Sequence, residues 1–209
     1  MILLKYSKLL GAEYIPHLDT LKHLGKIIRR TGLEVNYSQG FNPHMLIFMS
    51  APLPLGLKSK SEYLLISTDT CDENFIEKFN NCSPLGIKAQ DMYFVKSKLN
   101  IANDITSATF SISGLNNFDV NDVLSSNEFI ILDKNGKEKN VRDRILSLHF
   151  ENNILICSLK AGNENLRPDV FSNKLKSVYG GGSLNIIKED VKFLNNLSVT
   201  EYIAEKDNV

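Results

Sequence analysis

Ile2, Leu3, Leu4 and Tyr6 form an apolar run interrupted only by Lys5, which predicts a first strand. After Pro16 the period changes. Leu18, Leu21, Leu24 and Ile28 recur at roughly helical spacing and are expected to form a buried stripe, with Pro16 in the first turn and Gly32 as the stop. Strands are expected over 34–38, 45–50 and 62–68. The first two flank the loop Gln39-Gly40-Phe41-Asn42-Pro43-His44, and the proline-rich Ala51–Gly56 must run extended and then turn. Phe75, Ile76 and Phe79 share one helical face within 72–81, and 86–95 closes this half with a strand.

That order is β-α-β-β-α-β, the split βαβ arrangement of ferredoxin-like domains. The second half repeats it. A strand over Thr109–Ser113 leads to a short helix over Phe118–Ser126, a strand over Phe129–Leu132 and the turn Asp133-Lys134-Asn135-Gly136. Leu146, Leu148 and Phe150 alternate, and Ile154 and Ile156 answer them across Glu151-Asn152-Asn153. Pro168 opens a helix bearing Phe171, Leu175 and Val178, Gly180–Gly182 ends it, and 183–188 is a last strand. The expected fold class is therefore α+β, with two tandem ferredoxin-like halves, 1–96 and 97–209. A linker is expected over Lys96–Thr106, and fraying over 204–209.

Formal net charge is zero, yet its distribution is uneven. Residues 1–60 hold eight basic side chains and three acidic ones, an excess the rest of the chain cancels. Such asymmetry marks a candidate anion-facing surface. Cys71, Cys82 and Cys157 are odd in number and widely spaced, which disfavours a disulfide framework, a zinc knuckle or a locally ligated iron–sulfur cluster. All three are expected to be small core residues in a reducing compartment. The basic residues Lys5 and Lys8 lie inside the first apolar run, unlike a signal peptide, so the chain is expected to be cytoplasmic with no membrane contact.

The candidate chemistry lies in the first sixty residues. Lys22, Lys26, Arg29 and Arg30 follow one another at i, i+4, i+7 and i+8, on the helix side opposite the leucines. Four cations without interleaved acids repel one another, and phosphate would offset that cost. The same side also reads as a solvated face whose cations complement the helix C-terminus. The loop Tyr37-Ser38-Gln39-Gly40-Phe41-Asn42-Pro43-His44 is rich in hydrogen-bonding groups and aromatics. Tyr37 and Phe41 can stack on a base while Ser38, Gln39 and Asn42 read its edge; the alternative is an ordered structural turn. His17, His44 and Asp19 are candidates for acid–base work, with helix capping as the plainer role of His17 and Asp19. They lack metal-ligand spacing, and no metal or cofactor is expected. Glu62 is a candidate partner for one of the basic residues. Phosphate loops, dinucleotide fingerprints and nucleophile elbows are absent from the sequence.

The runs Tyr14-Ile15-Pro16-His17-Leu18-Asp19, Arg29-Arg30-Thr31-Gly32-Leu33, Tyr37–His44, Pro52-Leu53-Pro54-Leu55-Gly56 and Ser59-x-x-Glu62-Tyr63 resemble the radical SAM-linked protein family. The resemblance is dense over about residues 1–66 and loose beyond residue 100, where it rests on Arg142 and Arg167-Pro168. The family is a bacterial domain of unassigned function, found alone or at the C-terminus of a radical SAM protein. Two positions depart from its pattern: Pro16 stands where Ser is common, and Met45-Leu46 follow His44 where a proline and a basic residue are usual.

The resemblance implies a radical SAM protein as partner and, from the neighbourhood of the family's genes, an RNA substrate (tRNA or rRNA) rather than DNA. The expected function is a non-catalytic accessory module that binds substrate for that enzyme. The tandem layout is also similar to CRISPR repeat-processing endonucleases, which implies metal-independent RNA cleavage by His17 or His44 as an alternative. A protein-only scaffold is the third reading, favoured by an apolar patch around Pro52–Leu57.

Overall fold

The run Ile2–Lys8 forms a strand, β1, paired antiparallel on both sides, and all its side chains except Lys5 are buried. A central strand has two covered faces, which is why the run is nearly continuous in apolar residues rather than alternating. The computed structural model describes residues 1–209 apart from Cys71, Lys134 and Val209. Its fold is mixed α+β, with mainly antiparallel strands and six α-helices among the described residues. It divides into two compact units, Met1–Asp104 with Leu197–Val209, and Ile105–Asn196.

In the first unit β1 is followed by a short 3-10 turn at Ala12–Tyr14, helix α1 (His17–Thr31), β2 (Ile47–Met49), β3 (Lys58–Ile66), α2 (Phe75–Cys82), β4 (Ile87–Phe94) and α3 (Ile101–Asp104). The strands run in the order β4-β1-β3-β2, every pair antiparallel. Leu4 lies opposite Leu64 on one side and Met92 on the other. Ile2, Leu4 and Tyr6 of β1 share a core with Leu24, Ile27 and Ile28 of α1 and Phe75 and Phe79 of α2. Gly32 caps α1 at φ 78°, a left-handed conformation that glycine adopts at no steric cost.

Of the expected stripe of α1, Leu24 and Ile28 are buried, joined by Thr20 and Ile27, whereas Leu21 is half-buried and Leu18 lies outside it. At 100° per residue Leu18 lies about 120° around the axis from Leu24, and it is exposed. The expected strand over 34–38 does not form. Tyr37 and Met45 make an isolated bridge, and Asn36 spends its backbone N–H on Ser67 and its carbonyl on Leu46, so no regular ladder develops. The expected linker is ordered within this unit: Leu99 and Ile101 are buried, and 101–104 form α3.

Residues 204–207 of the segment expected to fray belong to α6 (Val199–Asp207), started by a capping box in which Ser198 and Glu201 satisfy each other's backbone N–H groups. Asp207 accepts from the N–H groups of Lys96 and Ser97 at 3.0 and 3.2 Å, and Tyr202 donates its hydroxyl proton to Asp104 at 2.5 Å.

The second unit comprises β5 (Ile105–Leu115), α4 (Asn121–Leu124), β6 (Ile130–Leu132), β7 (Glu138–Asn140), β8 (Ile145–Glu151), β9 (Ile154–Lys160), α5 (Pro168–Tyr179) and β10 (Gly181–Phe193). Its main strands run β10-β5-β9-β8, again antiparallel. Asn152 and Asn153 both take positive φ at the β8–β9 hairpin, the turn the alternation predicts. The strand at 130–132 pairs with 138–140 in a separate two-stranded sheet. Of the cysteines, Cys157 is buried, and burial pushes its thiol pKa up; Cys82 is half-buried; Cys71 lies outside the described residues. No helix among the described residues is long and apolar enough to cross a membrane.

Candidate functional site

Opposite its buried stripe, α1 presents Lys22, Lys26 and Arg29 to a groove of about 360 Å³. Leu21, Met45 and Ile47 form its apolar lining, and His44 lies on its border. Gly25 sits in the middle of this wall, and its lack of a side chain leaves room between α1 and the Met45–Ile47 segment. Arg30, one position further round, is exposed but lies outside the groove. Lys22 is bridged to Asp19 at 3.0 Å, so the expected row of unopposed cations is interrupted there by an acid one turn away. Both partners are well exposed, and such pairs contribute at most about 1 kcal/mol. Lys26, Arg29 and Arg30 make no ion pair among the described residues.

The loop above the groove is a hairpin tip held by its base. Ser38 N–H donates to the His44 carbonyl at 2.9 Å, and His44 N–H donates to Ser38 Oγ at 3.1 Å. Ser38 Oγ also meets His44 Nδ1 at 2.8 Å, which fixes the imidazole plane. The hydroxyl of Ser38 thus orients His44. Beyond this clasp Gln39, Gly40, Phe41 and Asn42 are exposed, and Gly40 takes φ 120°. Phe41 is completely solvent-exposed and Tyr37 is 44% exposed, so neither aromatic is a core residue. An unburied Phe forgoes roughly 1.5–3 kcal/mol of hydrophobic stabilisation, which a partner covering it would recover.

His17 is the first residue of α1 and borders a second depression of about 580 Å³ with Leu21, Ile47, Phe48, Lys98 and Asn100. Leu21 and Ile47 line both depressions, so the two form one trough along α1. From Arg29 to His17 it extends about 18 Å at 1.5 Å per residue. Lys98 Nζ stands 5.0 Å above the Phe48 ring, a cation–π contact at the trough's edge.

Behind His17 lies a buried ionic group. Lys8, Glu13 and Glu62 are 6, 5 and 3% exposed. Lys8 Nζ donates to the Ile15 carbonyl at 2.6 Å, Glu13 accepts from Gly11 N–H at 2.7 Å, and Glu62 accepts from Ser50 Oγ at 3.5 Å. Burial pushes the Lys8 ammonium pKa down, against the opposing pull of Glu62 and Glu13. Burial likewise lowers the pKa of His17; the Glu62 charge raises it and the Lys8 charge lowers it further. His17 is therefore neutral at pH 7, able to accept or donate one hydrogen bond. Glu62 acts from the interior and does not reach the trough surface.

The structure thus brings His17, Lys22, Lys26, Arg29 and His44 to one trough, and leaves Asp19 and Arg30 beside it. His17, Asp19 and His44 do not converge; no group of three His, Cys, Asp or Glu side chains among the described residues is placed to hold a metal ion. The sequence reading missed Gly25, Phe48, Lys98 and Asn100. A glycine in a helix interior is a readable signal for the first. Nothing local marks Lys98 or Asn100, which reach the trough from a distant segment.

No curated protein matches the chain. Residues 1–168 match the model of a family described as "Uncharacterized protein conserved in bacteria (DUF2344)". The match spans well over half of the sequence, and the chain belongs to this family.

Proposed function

We propose that this protein is a non-catalytic module that holds RNA for a radical SAM enzyme. The observation that carries the RNA half is the trough: a wall of Lys22, Lys26 and Arg29, an apolar floor and the exposed ring of Phe48, with Phe41 exposed on the loop that ends at His44. Cations positioned to follow a backbone beside aromatic faces are what a sequence-tolerant RNA groove requires. The partner half rests on the resemblance of the Tyr14–Tyr63 motifs to the radical SAM-linked family. The strand orders β4-β1-β3-β2 and β10-β5-β9-β8 support reading each unit as a ferredoxin-like split βαβ, the second with α4 and the β6–β7 hairpin in place of a first long helix. Unpaired Cys82 and Cys157 support a cytoplasmic setting.

The test is a titration of the full chain into labelled tRNA and rRNA fragments at several salt concentrations, with the Lys22→Ala/Lys26→Ala/Arg29→Ala variant alongside. Three contacts to a single strand correspond to a salt slope of about −2, since each phosphate contributes roughly −0.7. Binding that is salt-dependent in the native chain and flattened by about that amount in the variant supports the assignment. Unchanged binding defeats it. Co-elution with a radical SAM protein of the same genome tests the partner separately. A neutral His17 in the trough favours the nuclease as second reading, because it can accept a ribose hydroxyl proton. Intact RNA after prolonged incubation eliminates that class, and cleavage that persists without His17 and His44 eliminates those residues.

A further inference from the structure

We infer that the His17 end of the trough is the seat of one unstacked nucleotide, and that the RNA held here is single-stranded. This deepens the RNA reading above and rests on it. At about 580 Å³ the depression falls in the range of small-ligand sites. Its lining is unlike that of the cationic groove. Leu21 and Ile47 give an apolar floor, Phe48 of strand β2 an aromatic ring, and Asn100 an amide with both donor and acceptor. His17 adds a ring nitrogen of either sense, and Lys98 a single mobile cation. A flat apolar face with an amide at its rim suits a nucleobase: the ring stacks, and the amide and imidazole read its edge. Lys98 covers the Phe48 face at 5.0 Å and can swing aside to the phosphate of the incoming nucleotide.

Continuity decides the form of the strand. Leu21 and Ile47 belong to both depressions, so a backbone following Lys22, Lys26 and Arg29 delivers its next nucleotide to His17. Lys22, Lys26 and Arg29 stand together on the α1 wall, which serves one backbone, and Lys98 alone faces it at the His17 end. A base entering the depression must leave its stack, at a cost that is least in a strand already single.

The experiment is fluorescence anisotropy of the full chain with a five-nucleotide single-stranded RNA, scanned with one abasic position at a time. One position is expected to lose roughly ten-fold in affinity when its base is absent, the loss of a stacked base. Phe48→Ala should lose about as much with the intact oligomer, nothing further with that abasic oligomer, and Phe48→Tyr should restore binding. Phe48 is a partly exposed side chain, so the variant is expected to fold. The imidazole NMR signals of His17 should move on saturation with the intact oligomer and not with the abasic one. Equal losses at every position, or Phe48→Ala without effect while the Lys22/Lys26/Arg29 variant still weakens binding, overturn the nucleotide seat and leave the RNA reading standing. If no oligomer binds, both fall.

Discussion

Replacing Gly25 by Ala is expected to stabilise this protein while narrowing its groove. A glycine within a helix costs about 0.8–1.0 kcal/mol relative to alanine, through backbone freedom lost on folding. Gly25 has ordinary helical geometry, so alanine meets no strain there. An added Cβ would stand 3.7 Å from Ile47 Cδ1 and 3.8 Å from Met45 Sδ, which is van der Waals contact without overlap. Each such contact adds only about 0.1–0.2 kcal/mol, so the helix term dominates and the gain is close to 1 kcal/mol. In a chain of this size that raises the melting temperature by roughly 2–4 °C. Thermal and urea denaturation followed by circular dichroism read it directly, and anisotropy with RNA reads the groove. Greater stability with weaker RNA binding would show that the glycine is kept for the groove. A destabilised variant would refute the reasoning, because it would mean that α1 and the Met45–Ile47 segment approach more closely than 3.7 Å allows.

Tyr6 is fully buried and its hydroxyl has no hydrogen-bond partner among the described residues; burial, then the Glu62 charge, pushes its pKa up. Tyr6→Phe should therefore raise stability by about 1 kcal/mol in urea denaturation, and a loss would reveal a partner for that hydroxyl. An NMR titration of His17 should give a midpoint below about 6.5. The unfolded chain then binds this proton at higher pH than the native one, so the stability due to neutral His17 is full above pH about 6.5 and lost as pH falls toward the folded midpoint. A midpoint at or above 6.5 would contradict its burial. Gly86→Ala should cost about 3 kcal/mol, because the new Cβ would fall 2.2 Å from the Leu9 carbonyl oxygen and 2.8 Å from Ala12 Cβ; an unchanged urea midpoint would count against that packing.

Signals that are local in the sequence were the readable ones. Pro16 and Gly32 bracket α1 because both act through their own backbone geometry, and Asn152-Asn153 marks its hairpin for the same reason. The stripe of α1 is legible at Leu24 and Ile28 and not at its Leu18 end, because a helix with leucines on two flanks has more than one candidate inner face, and only packing against the sheet selects one. The 34–38 strand was misread because Val35 and Tyr37 have strand propensity but no regular neighbour to pair with. In the site, the basic row and the 37–44 loop were legible as types, whereas the groove that Gly25 opens between α1 and the Met45–Ile47 segment, with His44 at its border, was not. Burial of Glu62 next to Lys8 could not be read either: a charged residue in a strand looks solvent-facing until its partners are known. Ser198 and Glu201 carry a local capping signal for α6 that the expectation of fraying over 204–209 left unread.

The first unit is not contiguous: Ser97 and Asp104 wait for Asp207 and Tyr202, which come only after all of Ile105–Asn196. On the ribosome, at roughly 5–20 residues per second, this delay lasts on the order of ten seconds. Through that interval β1 to β4 and the trough along α1 exist on a nascent chain without their final helix, while the uninterrupted second unit has everything it needs to close. Residues 96–104, which carry the Lys98 and Asn100 side of the trough, are then the last part of the first unit to receive their partners.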